Sequence, residues 1–512
     1  MPNILEDFPR GVSEGRNRTE DRTPEARWRG NKDILSDSNL AYDAARPGGK
    51  IFLGLLEGKP IGLADDRHMI TVAGSRAGKG VSVIIPNLIF YPGSILAIDP
   101  KGELASITAR RRAGSLRQKV FVLDPFDRTA DLVKPYKASF NPMAILTSAN
   151  RHIVEDAGLI ADALVIPGGG DIHWDETAKN FIEGLILHVA TWSAYDGRRN
   201  LVTVRDLLVR GVDPDVFDYD EDLCAALKRK DNPGLAALEL EMQENDTLGG
   251  FVQAAATEMF ERDPKEMNSV LSSARRHTTF LGFPAMRKVL QDHKEFTDLR
   301  QLKTMPGGMT VYLCLPAGRL GTCNRWLRLF VNLALEAMER EQRRAKGMQN
   351  IPVLLCLDEF ATLGRMEQVE AAAGQIAGFG CKLWPILQDL GQLEALYKDR
   401  WQTFMGNAGV LQFFGNNDVK TLEYISQRLG KTTVLVESMS DVSMKQAQQG
   451  SSGFSRAPQI CDLLTAEEAG RYFARDAPGR RQLIIRAGKD PAMAIERVLY
   501  HDHALFKGKF DQ

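Results

Sequence analysis

The sequence predicts an α/β fold in which a mostly parallel central sheet carries helices on both faces and an all-helical segment is inserted. Short apolar runs, typical of strands buried on both faces, alternate with helical patterns over 69–123 and again from Met309 onward. A glycine-rich turn containing a lysine follows the first of these strands. Over 150–300 strand signals largely stop, and apolar residues recur at helical spacing.

Composition places the chain among ordinary soluble globular proteins of two or three domains. It has 512 residues, of which 44% are hydrophobic and 26% are charged, and both fractions are typical of that class. The formal net charge is −1, so no positive field extends over the whole molecule. Any contact with nucleic acid would therefore depend on local basic patches or on a lined channel.

Cysteine usage and hydropathy indicate the compartment. The six cysteines lack C-x-x-C spacing, which argues against a disulfide framework or a structural zinc and favours a reducing compartment. No apolar run approaches the ~20 residues that span a bilayer, and the charged, polar start of the chain does not fit a signal peptide. We expect a cytoplasmic protein, or one held at a membrane only through a partner.

The chain divides into three predicted regions. Residues 1–48 are rich in charged residues and proline, which predicts a disordered or extended arm. A nucleotide-binding α/β domain is expected over 49–149 and 301–512, beginning with a small hairpin at 50–62. The all-helical domain is expected over 150–300.

The glycine-rich stretch AGSRAGKGVS, which begins at Ala73, predicts a phosphate-binding loop. Glycines let backbone N–H groups crowd around anionic oxygens at a helix N-terminus, and Lys79 can reach the β- and γ-phosphates of a nucleotide. The residues expected around the phosphates are Gly74, Ser75, Arg76, Ala77, Gly78, Lys79, Gly80 and Val81. Ala73 replaces the usual first glycine, and Gly80 replaces the usual Mg²⁺-binding hydroxyl, for which Ser82 is the nearest substitute. The alternative is a glycine-rich turn without a ligand.

An acidic pair follows a second buried strand. Val353 to Leu357 is a run of five apolar residues that ends in Asp358-Glu359. Charges at such a position are hard to explain by packing, because a buried charge without a partner is costly. In a nucleoside triphosphatase the first acid orients Mg²⁺ or its water, and the second polarises the attacking water. The alternative is a strand end that reaches solvent.

A polar residue ends the next predicted strand, which covers 382–387. Gln388 lies one strand beyond the acidic pair and is well placed to sense a γ-phosphate. A glutamine at the edge of the core is the alternative. The other predicted elements are helices at 79–90, 103–114, 325–347 and 366–379, strands at 94–98, 119–123, 410–414, 432–436 and 482–486, and a mobile loop at 438–455. The predicted sheet has about eight strands.

Several stretches together resemble one family, the coupling-protein ATPases of type IV secretion and conjugation. They include AGSRAGKGVSVIIPNL, GSILAIDPKGE, FNPMAIL, TVYLCLPAGRL, RWLRLF, LLCLDEFATLGR, LWPILQDLGQL and NAGVLQFFGNNDVKTLEYISQRLGKTTV. The blocks run from about residue 50 to residue 435. The resemblance implies a RecA-like motor domain with an inserted all-α domain, and a ring of six subunits that uses ATP and Mg²⁺ to pass single-stranded DNA or proteins toward a secretion channel.

The resemblance also implies roles for single residues. Phosphate binding falls on Gly78 and Lys79, the Mg²⁺ and water roles on Asp358 and Glu359, and the γ-phosphate sensor on Gln388. An arginine finger is expected from a neighbouring subunit, and Arg365 and Lys382 are candidates because they lie close to the motifs in the sequence. Implied partners are a relaxase–DNA complex or effector proteins, the channel ATPases and inner-membrane components. The active form is expected to be a homo-hexamer, and a monomer is the alternative for the isolated chain.

One departure and two alternatives accompany this interpretation. Family members usually begin with transmembrane helices, which this sequence does not contain, so we expect any membrane association to depend on partners. A DNA helicase or a chromosome-segregation translocase could be built on the same fold. A docking platform that uses nucleotide only for assembly is the non-enzymatic alternative, against which the intact acidic pair argues.

Overall fold

The computed structural model describes most of the chain and forms two compact units. The described residues are 24–166, 172–214, 221–228, 231–439, 454–488 and 491–511. The first unit contains the described residues within Met1–Pro92, Cys356–Ala361 and Lys382–Phe510, and the second contains those within Gly93–Leu355, Thr362–Cys381 and Asp511–Gln512. These boundaries differ from the predicted domains, because the segments 93–149 and 309–355 group with the helical segment.

The strands of the first unit form a mixed sheet. They are β1 (Ile51–Leu56), β2 (Lys59–Leu63), β3 (Met69–Ala73), β8 (Cys381–Leu387), β9 (Val410–Phe414), β12 (Arg481–Arg486) and β13 (Met493–Glu496), in the spatial order β2-β1-β13-β12-β9-β3-β8. β3 runs parallel to β8 and β9, whereas the pairings from β9 outward are antiparallel. The carboxyl ends of β3, β8 and β9 therefore lie at one edge, where open α/β sheets bind ligands.

A chain of buried hydrogen bonds fixes the register of this sheet. The Trp384 indole N–H donates to the Thr71 hydroxyl, which donates to the Gln412 amide oxygen at 2.8 Å. The Gln412 amide nitrogen donates to Gln482 at 2.5 Å, and Gln482 donates to the Leu53 carbonyl. All four side chains are buried, so a one-residue slip of any of these strands would leave buried polar groups unpaired.

The structure describes the amino-terminal arm from residue 24 onward. It contains one short helix, α1 (Asn31–Ser36), and is otherwise extended or turned. Trp28, Ile34 and Leu40 are buried, and the Trp28 ring lies 6.3 Å from that of Phe473. For residues 24–48 this fits the extended alternative and not the disordered one. The sequence signal was weak because the apolar residues that anchor the arm follow neither a helical nor a strand period. Residues 1–23 lie outside the described residues.

One predicted sheet strand belongs instead to a separate ribbon. β10 (Lys431–Met439) pairs with β11 (Phe454–Asp462) in a two-stranded antiparallel sheet, with Thr432 opposite Cys461. The predicted strand at 432–436 is therefore real, but its place in the central sheet is wrong. Leu435 and Ile460 in this ribbon are exposed, so apolar residues here do not indicate a core strand. Most of the predicted loop at 438–455 lies outside the described residues.

The second unit combines parallel strands with a large helical segment. β4 (Ile95–Asp99), β6 (Met309–Cys314) and β5 (Lys119–Leu123) pair in parallel in the order β4-β6-β5. The described part of the chain between β5 and β6 contains helices and no extended strand. These helices are α4 (Ile153–Leu164), α5 (Ile172–Thr191), α6 (Leu201–Arg210), α7 (Glu221–Lys228), α8 (Pro233–Glu244), α9 (Thr247–Phe260), α10 (Pro264–His277), α11 (Pro284–Val289) and α12 (Gln301–Thr304).

The remaining α-helices flank the strands within their own units. They are α2 (Ile85–Phe90), α3 (Glu103–Gly114), α13 (Ala317–Arg340), α14 (Glu367–Gln375), α15 (Leu390–Tyr397), α16 (Trp401–Asn407), α17 (Val419–Leu429) and α18 (Ala466–Tyr472). α13 begins earlier and ends earlier than the predicted helix at 325–347. Its end is fixed by the buried Lys303 ammonium, which donates to the carbonyls of Met338 and Glu341 and so satisfies acceptors of the last turn. In the described chain no helix is both long and apolar enough to cross a membrane.

Candidate functional site

The phosphate-binding loop (74–81) lies between β3 and the helical segment that follows it. Gly78 has a φ of +87°, which a residue without a Cβ adopts at no steric cost. Arg76 also has a positive φ, +57°, and such a conformation costs energy for a residue with a side chain. The loop therefore keeps a strained shape of the kind that proteins retain at ligand sites.

Gly74 is required by packing against the turn that follows β9. A Cβ added at Gly74 would overlap the carbonyl oxygen of Gly415, and one added at Gly415 would overlap the Cβ of Ala77. The loop and this turn thus touch through their backbones. This contact explains why a glycine follows Ala73, although the usual motif has its first glycine one position earlier.

The helix after Lys79 begins with a widened turn. Residues Gly80–Ile84 form a π-helical turn, in which the Ile85 N–H bonds the Gly80 carbonyl, and α2 follows it. In this pattern the next carbonyl, that of Val81, would accept from residue 86, but Pro86 has no N–H. The N–H of Tyr500 bonds the Val81 carbonyl instead, at 3.1 Å. A segment near the carboxyl terminus is therefore part of the loop's support.

The structure brings Lys79 and the acidic pair together. The Lys79 amine lies 3.2 Å from an Asp358 oxygen and 2.6 Å from a Glu359 oxygen. The three side chains are 14–25% exposed, so water screens these charges less than it screens surface ion pairs. All three residues belong to the first unit. The predicted convergence of the loop lysine and the acidic doublet is thus present in the structure.

Burial and the charges of this cluster together shift the pKa values of Lys79 and Asp358. Burial by itself would lower the pKa of Lys79, but the charges of Asp358 and Glu359 outweigh burial and raise it, so the amine stays protonated. Burial raises the pKa of Asp358, and the neighbouring Glu359 adds to that rise against the attraction of Lys79. Two carboxyl groups thus share one ammonium group.

Glu359 is held in a strained conformation and oriented by Gln388. Its φ is +52°, in the left-handed region, and its own N–H bonds the Asp358 side chain at 3.0 Å. The Gln388 amide donates to the second Glu359 oxygen at 3.0 Å. Gln388 thus contacts the acidic pair directly, and it does not lie at the core edge as an isolated glutamine.

The sequence analysis does not predict two further residues of the site, Asn416 and Arg497. Asn416 is buried and donates to the Gln388 carbonyl at 3.4 Å. The Arg497 guanidinium donates to the Ala77 carbonyl at 2.7 Å and lies 4.2 Å from the centre of the Phe414 ring. Asn416 could have been found, because it follows a strand end as Gln388 does. Arg497 could not, because no local pattern indicates a contact with a loop 420 residues away.

The structure does not support Lys382 as an arginine-finger substitute. Lys382 is buried, and its amine donates to the carbonyls of Asp65 and Arg67. It lies at the amino-terminal end of β8, opposite the end that Gln388 follows. Arg365 belongs to the second unit, is half-exposed and pairs with Glu370 at 3.5 Å. A finger role for Arg365 stays a prediction.

The residues present fit a magnesium-bound triphosphate. In the described chain no group of three or more His, Cys, Asp or Glu residues could hold a metal ion alone. Magnesium in such sites is bound by one or two carboxylates together with substrate phosphates, and Asp358 can supply the carboxylate. The Ser82 hydroxyl donates to the Gly78 carbonyl at 2.8 Å, so it joins the loop, and only its lone pairs remain for a metal. Gly80 stands where the usual motif has its Mg²⁺-binding hydroxyl. The space beside it is open, because a Cβ added at Gly80 would meet no other atom within 4 Å.

Fold and site together define an α/β protein in which a glycine-rich loop after a parallel strand brings a lysine against an acidic pair. The chain belongs to the family of type IV secretory system conjugative DNA transfer proteins, whose family model matches residues 44–511. This finding confirms the resemblance seen in the sequence and extends it to nearly the whole chain.

The chain is also similar in sequence to the curated proteins TraG and VirD4. The chain is 26% identical over 464 residues to the conjugal transfer protein TraG of Escherichia coli, which covers 86% of this chain and 68% of TraG. It is 27% identical over 451 residues to protein VirD4 of Rhizobium radiobacter, covering 87% of this chain and 58% of VirD4. The chain thus spans about three fifths to two thirds of the length of these relatives.

Solved structures show the same fold. The bacterial conjugative coupling protein TrwBdeltaN70, in its unbound form, superposes with a TM-score of 0.60 at 16% identity, over 92% of this chain and 90% of that chain. TrwB in complex with the ATP analogue ADPNP superposes with a TM-score of 0.58 at 16% identity, over 92% and 91%. The predicted α/β class is thus confirmed by the fold that the chain shares with TrwB.

Proposed function

We propose that this chain is the ATP-hydrolysing coupling motor of a type IV secretion or conjugation system. It would recruit single-stranded DNA, protein or both and move them toward the secretion channel. One observation carries the proposal: the Lys79 amine contacts Asp358 at 3.2 Å and Glu359 at 2.6 Å, beside a glycine loop. A lysine, a metal-binding carboxylate and a water-orienting carboxylate are the groups that phosphoryl transfer from ATP needs at one place.

Phosphate binding would rearrange the charges of the site. The loop amides and Lys79 would hold the phosphates, and the Lys79 amine would leave the carboxylates for these stronger anions. Asp358 would then hold Mg²⁺ directly or through water, with the Ser82 hydroxyl as the second candidate. The relative TrwB has been solved with ADP and Mg²⁺. When bound, Mg²⁺ neutralises charge on the phosphate oxygens.

Hydrolysis would depend on Glu359 and Gln388. Glu359 would accept a hydrogen bond from the attacking water and align it, the task of a general base or of a water-positioning residue. Gln388 donates to the other Glu359 oxygen, so a movement of Gln388 toward the γ-phosphate would also change the orientation of the carboxylate. The two residues would then act as a sensor and a base that respond to the same phosphate.

The wider function belongs to the proposal as well. The active form would be a homo-hexamer in which a neighbouring subunit supplies an arginine finger, for which Arg365 is the remaining candidate. Its partners would be a relaxase–DNA complex or effector proteins, together with the channel ATPases and inner-membrane components of the secretion system. We propose that it works at the cytoplasmic side of the inner membrane and is held there through these partners. The match to the type IV secretory system conjugative DNA transfer family and the conjugal transfer protein TraG support the DNA cargo and the secretion system in this proposal.

The test is an ATPase assay on size-fractionated protein, with and without single-stranded DNA. Wild-type protein should hydrolyse ATP in the presence of Mg²⁺, whereas Lys79→Ala should lose ATP binding and turnover. Lys59→Ala is the matched control, because Lys59 is exposed in the β1–β2 hairpin. Near-normal turnover in Lys79→Ala protein would overturn the proposal.

The same preparation distinguishes the alternatives. ATP-dependent assembly without measurable hydrolysis, with or without DNA, would favour the docking platform. Unwinding of duplex DNA by the purified protein would favour a helicase or a chromosome-segregation translocase. Hydrolysis that single-stranded DNA stimulates, without unwinding, is the result that the coupling motor predicts.

A further inference from the structure

One block of the sequence, RWLRLF at 325–330, lies within α13 and has no role in the proposed hydrolysis. Its two arginines contact different parts of the second unit. Arg325 donates to His277 of α10 at 3.1 Å, and Arg328 donates to the backbone of the chain around Arg365. α13 therefore joins the helical segment to the arginine that remains as the candidate finger.

Arg328 holds the backbone of the segment that contains Arg365. Its Nη1 donates to the Leu363 carbonyl at 3.0 Å and to the Arg365 carbonyl at 2.7 Å. Gly364, between these two residues, has a φ of +71°, a left-handed conformation that a residue without a Cβ adopts at no steric cost. This turn lets both carbonyls face one nitrogen. Hydrogen bonds from a charged donor are stronger than those from a neutral one, so the guanidinium fixes the backbone on both sides of Gly364.

A second side chain of α13 extends this contact. The Asn324 amide donates to the Thr362 carbonyl at 3.1 Å. Arg328 is only 4% exposed, and hydrogen bonds are stronger in such a water-poor environment. α13 thus holds the carbonyls of Thr362, Leu363 and Arg365, and all of these residues belong to the second unit.

The side chain of Arg365 is held much less firmly than its backbone. It is 52% exposed, and its guanidinium lies 3.5 Å from Glu370 and 3.9 Å from Glu367. Ion pairs of this kind on an exposed side chain contribute little. A fixed backbone with a weakly held guanidinium suits a residue that reaches an anion outside its own chain, because only the side chain has to be ordered on binding.

α13 is itself fixed to the helical segment. Arg325 can only donate, so Nδ1 of His277 accepts its hydrogen bond, and Nε2 of His277 donates to Asp175 of α5 at 2.9 Å. Burial lowers the pKa of His277, which agrees with a neutral ring. At the last residue of α13, the Arg340 guanidinium donates to Asp156 of α4 at 2.7 Å. The helix that holds the finger candidate is thus anchored on three helices.

We propose that Arg328 is a positioning residue for ATP hydrolysis, which fixes the segment 362–365 so that Arg365 reaches the triphosphate held by a neighbouring subunit. The inference rests on the proposed function, because it concerns how the finger of that motor is held. Arg328 would act through Arg365 and not on ATP, so its loss should reduce turnover without weakening ATP binding. Asn324 would support the same segment with a smaller effect.

Steady-state hydrolysis by the purified full chain, with single-stranded DNA, gives turnover and KM separately. Arg328→Met removes the donors and keeps an apolar stem, so turnover should fall about tenfold while KM for ATP changes less than threefold. Arg328→Lys should restore turnover to within threefold of wild type, because one ammonium can serve two carbonyls, as Lys303 does for Met338 and Glu341. Arg471→Met on the exposed face of α18 is the control. A loss of turnover below twofold in Arg328→Met would overturn the proposal.

A double-mutant cycle with Arg365 separates positioning from general support of the fold. Arg365→Ala should lower turnover by at least about a hundredfold, as the loss of an arginine finger does. In that background Arg328→Met should change turnover less than twofold, because the residue that it positions is gone, whereas independent effects would multiply. An undiminished tenfold loss in the Arg365→Ala background would overturn the proposal, and so would near-normal turnover of Arg365→Ala itself.

Urea unfolding and ATP binding by calorimetry show whether Arg328→Met protein is folded. If it is not, Asn324→Ala, at a half-buried residue, goes through the same cycle, with an expected loss of turnover of about threefold that disappears in the Arg365→Ala background. A threefold loss that persists there would overturn the proposal. Wild-type protein without turnover would overturn the proposed function and this inference together, whereas normal wild-type turnover with an additive cycle would overturn this inference alone.

Discussion

The Lys79 amine donates to a Glu359 carboxylate oxygen 2.6 Å away, although 280 residues separate the two in the chain. The contact follows from the sheet, because Lys79 belongs to the loop after β3 and Glu359 follows β7 (Val353–Leu357). The amine of a phosphate-binding loop is thus neutralised by the two carboxylates that the proposed chemistry needs.

Replacing the Glu359 carboxylate should separate ATP binding from hydrolysis. Glu359→Gln keeps the size of the side chain and its contact with Gln388, but the amide cannot act as a base. We expect ATP affinity within about threefold of wild type and turnover reduced by about 10²–10⁴, the usual contribution of a general base. The measurement is steady-state hydrolysis alongside equilibrium ATP binding. Glu423→Gln on the exposed face of α17 is the control, and unchanged turnover in Glu359→Gln would exclude the proposed role.

A hydroxyl introduced at Gly80 should be accepted by the fold. A Cβ at this position meets nothing within 4 Å, so Gly80→Ser should cost less than about 1 kcal/mol of unfolding free energy, as surface substitutions do. By contrast, Gly74→Ala should destabilise the protein, because its Cβ would overlap the Gly415 carbonyl. Urea unfolding monitored by circular dichroism measures both. Equal destabilisation by the two substitutions would contradict this account of the loop.

Asp358 should reduce the stability of the nucleotide-free protein at neutral pH. Its pKa is raised by burial, so ionisation of this carboxyl opposes folding once the pH exceeds its unfolded pKa of about 3.9. Asp358→Asn should therefore be more stable than wild type at pH 7, and this advantage should disappear as the pH falls toward 4. Denaturant unfolding at both pH values is the measurement, with Asp399→Asn, at an exposed residue, as the control. Lower stability of Asp358→Asn at pH 7 would contradict the direction of the shift.

The buried hydrogen-bond chain of the first unit should be sensitive to the loss of one amide. Gln412→Met keeps the length of the side chain but leaves the Gln482 oxygen without its donor and the Thr71 hydroxyl without its acceptor. We expect a loss of about 2–4 kcal/mol in unfolding free energy, because each unsatisfied buried group costs ~1–3 kcal/mol. Gln427→Met on the exposed face of α17 is the control. A loss of unfolding free energy below about 0.5 kcal/mol would mean that these buried hydrogen bonds do not contribute to stability.

Local sequence signals predicted that the groups of the candidate site would meet, because these groups follow strand ends. The apolar run before Asp358, the glycine-rich turn before Lys79 and the strand before Gln388 each contain their own signal. The carboxyl ends of neighbouring parallel strands lie at one edge, so three local patterns imply one three-dimensional site. The absence of strand signals over 150–300 likewise matched the helices found in the described residues.

The remaining features depend on contacts that no local pattern encodes. β13 has only four residues, Met493–Glu496, and its pairing with β1 joins opposite ends of the chain. Arg497 follows it directly and reaches the loop only because this pairing forms. The predicted strand at 432–436 lies in the two-stranded ribbon and not in the central sheet. Its pattern of apolar residues suits a core strand and a ribbon equally, so the sequence does not distinguish them.

Nucleotide affinity in a double-mutant cycle tests most directly whether Lys79 and Asp358 act on one triphosphate. Dissociation constants for ATP in Mg²⁺ are measured for wild type, Lys79→Gln, Asp358→Asn and the double variant. Residues that contact a common ligand are coupled, whereas distant, independent sites have additive effects. We predict that the double variant binds about tenfold more tightly than the product of the two single losses implies. Losses that multiply within twofold would contradict a shared site.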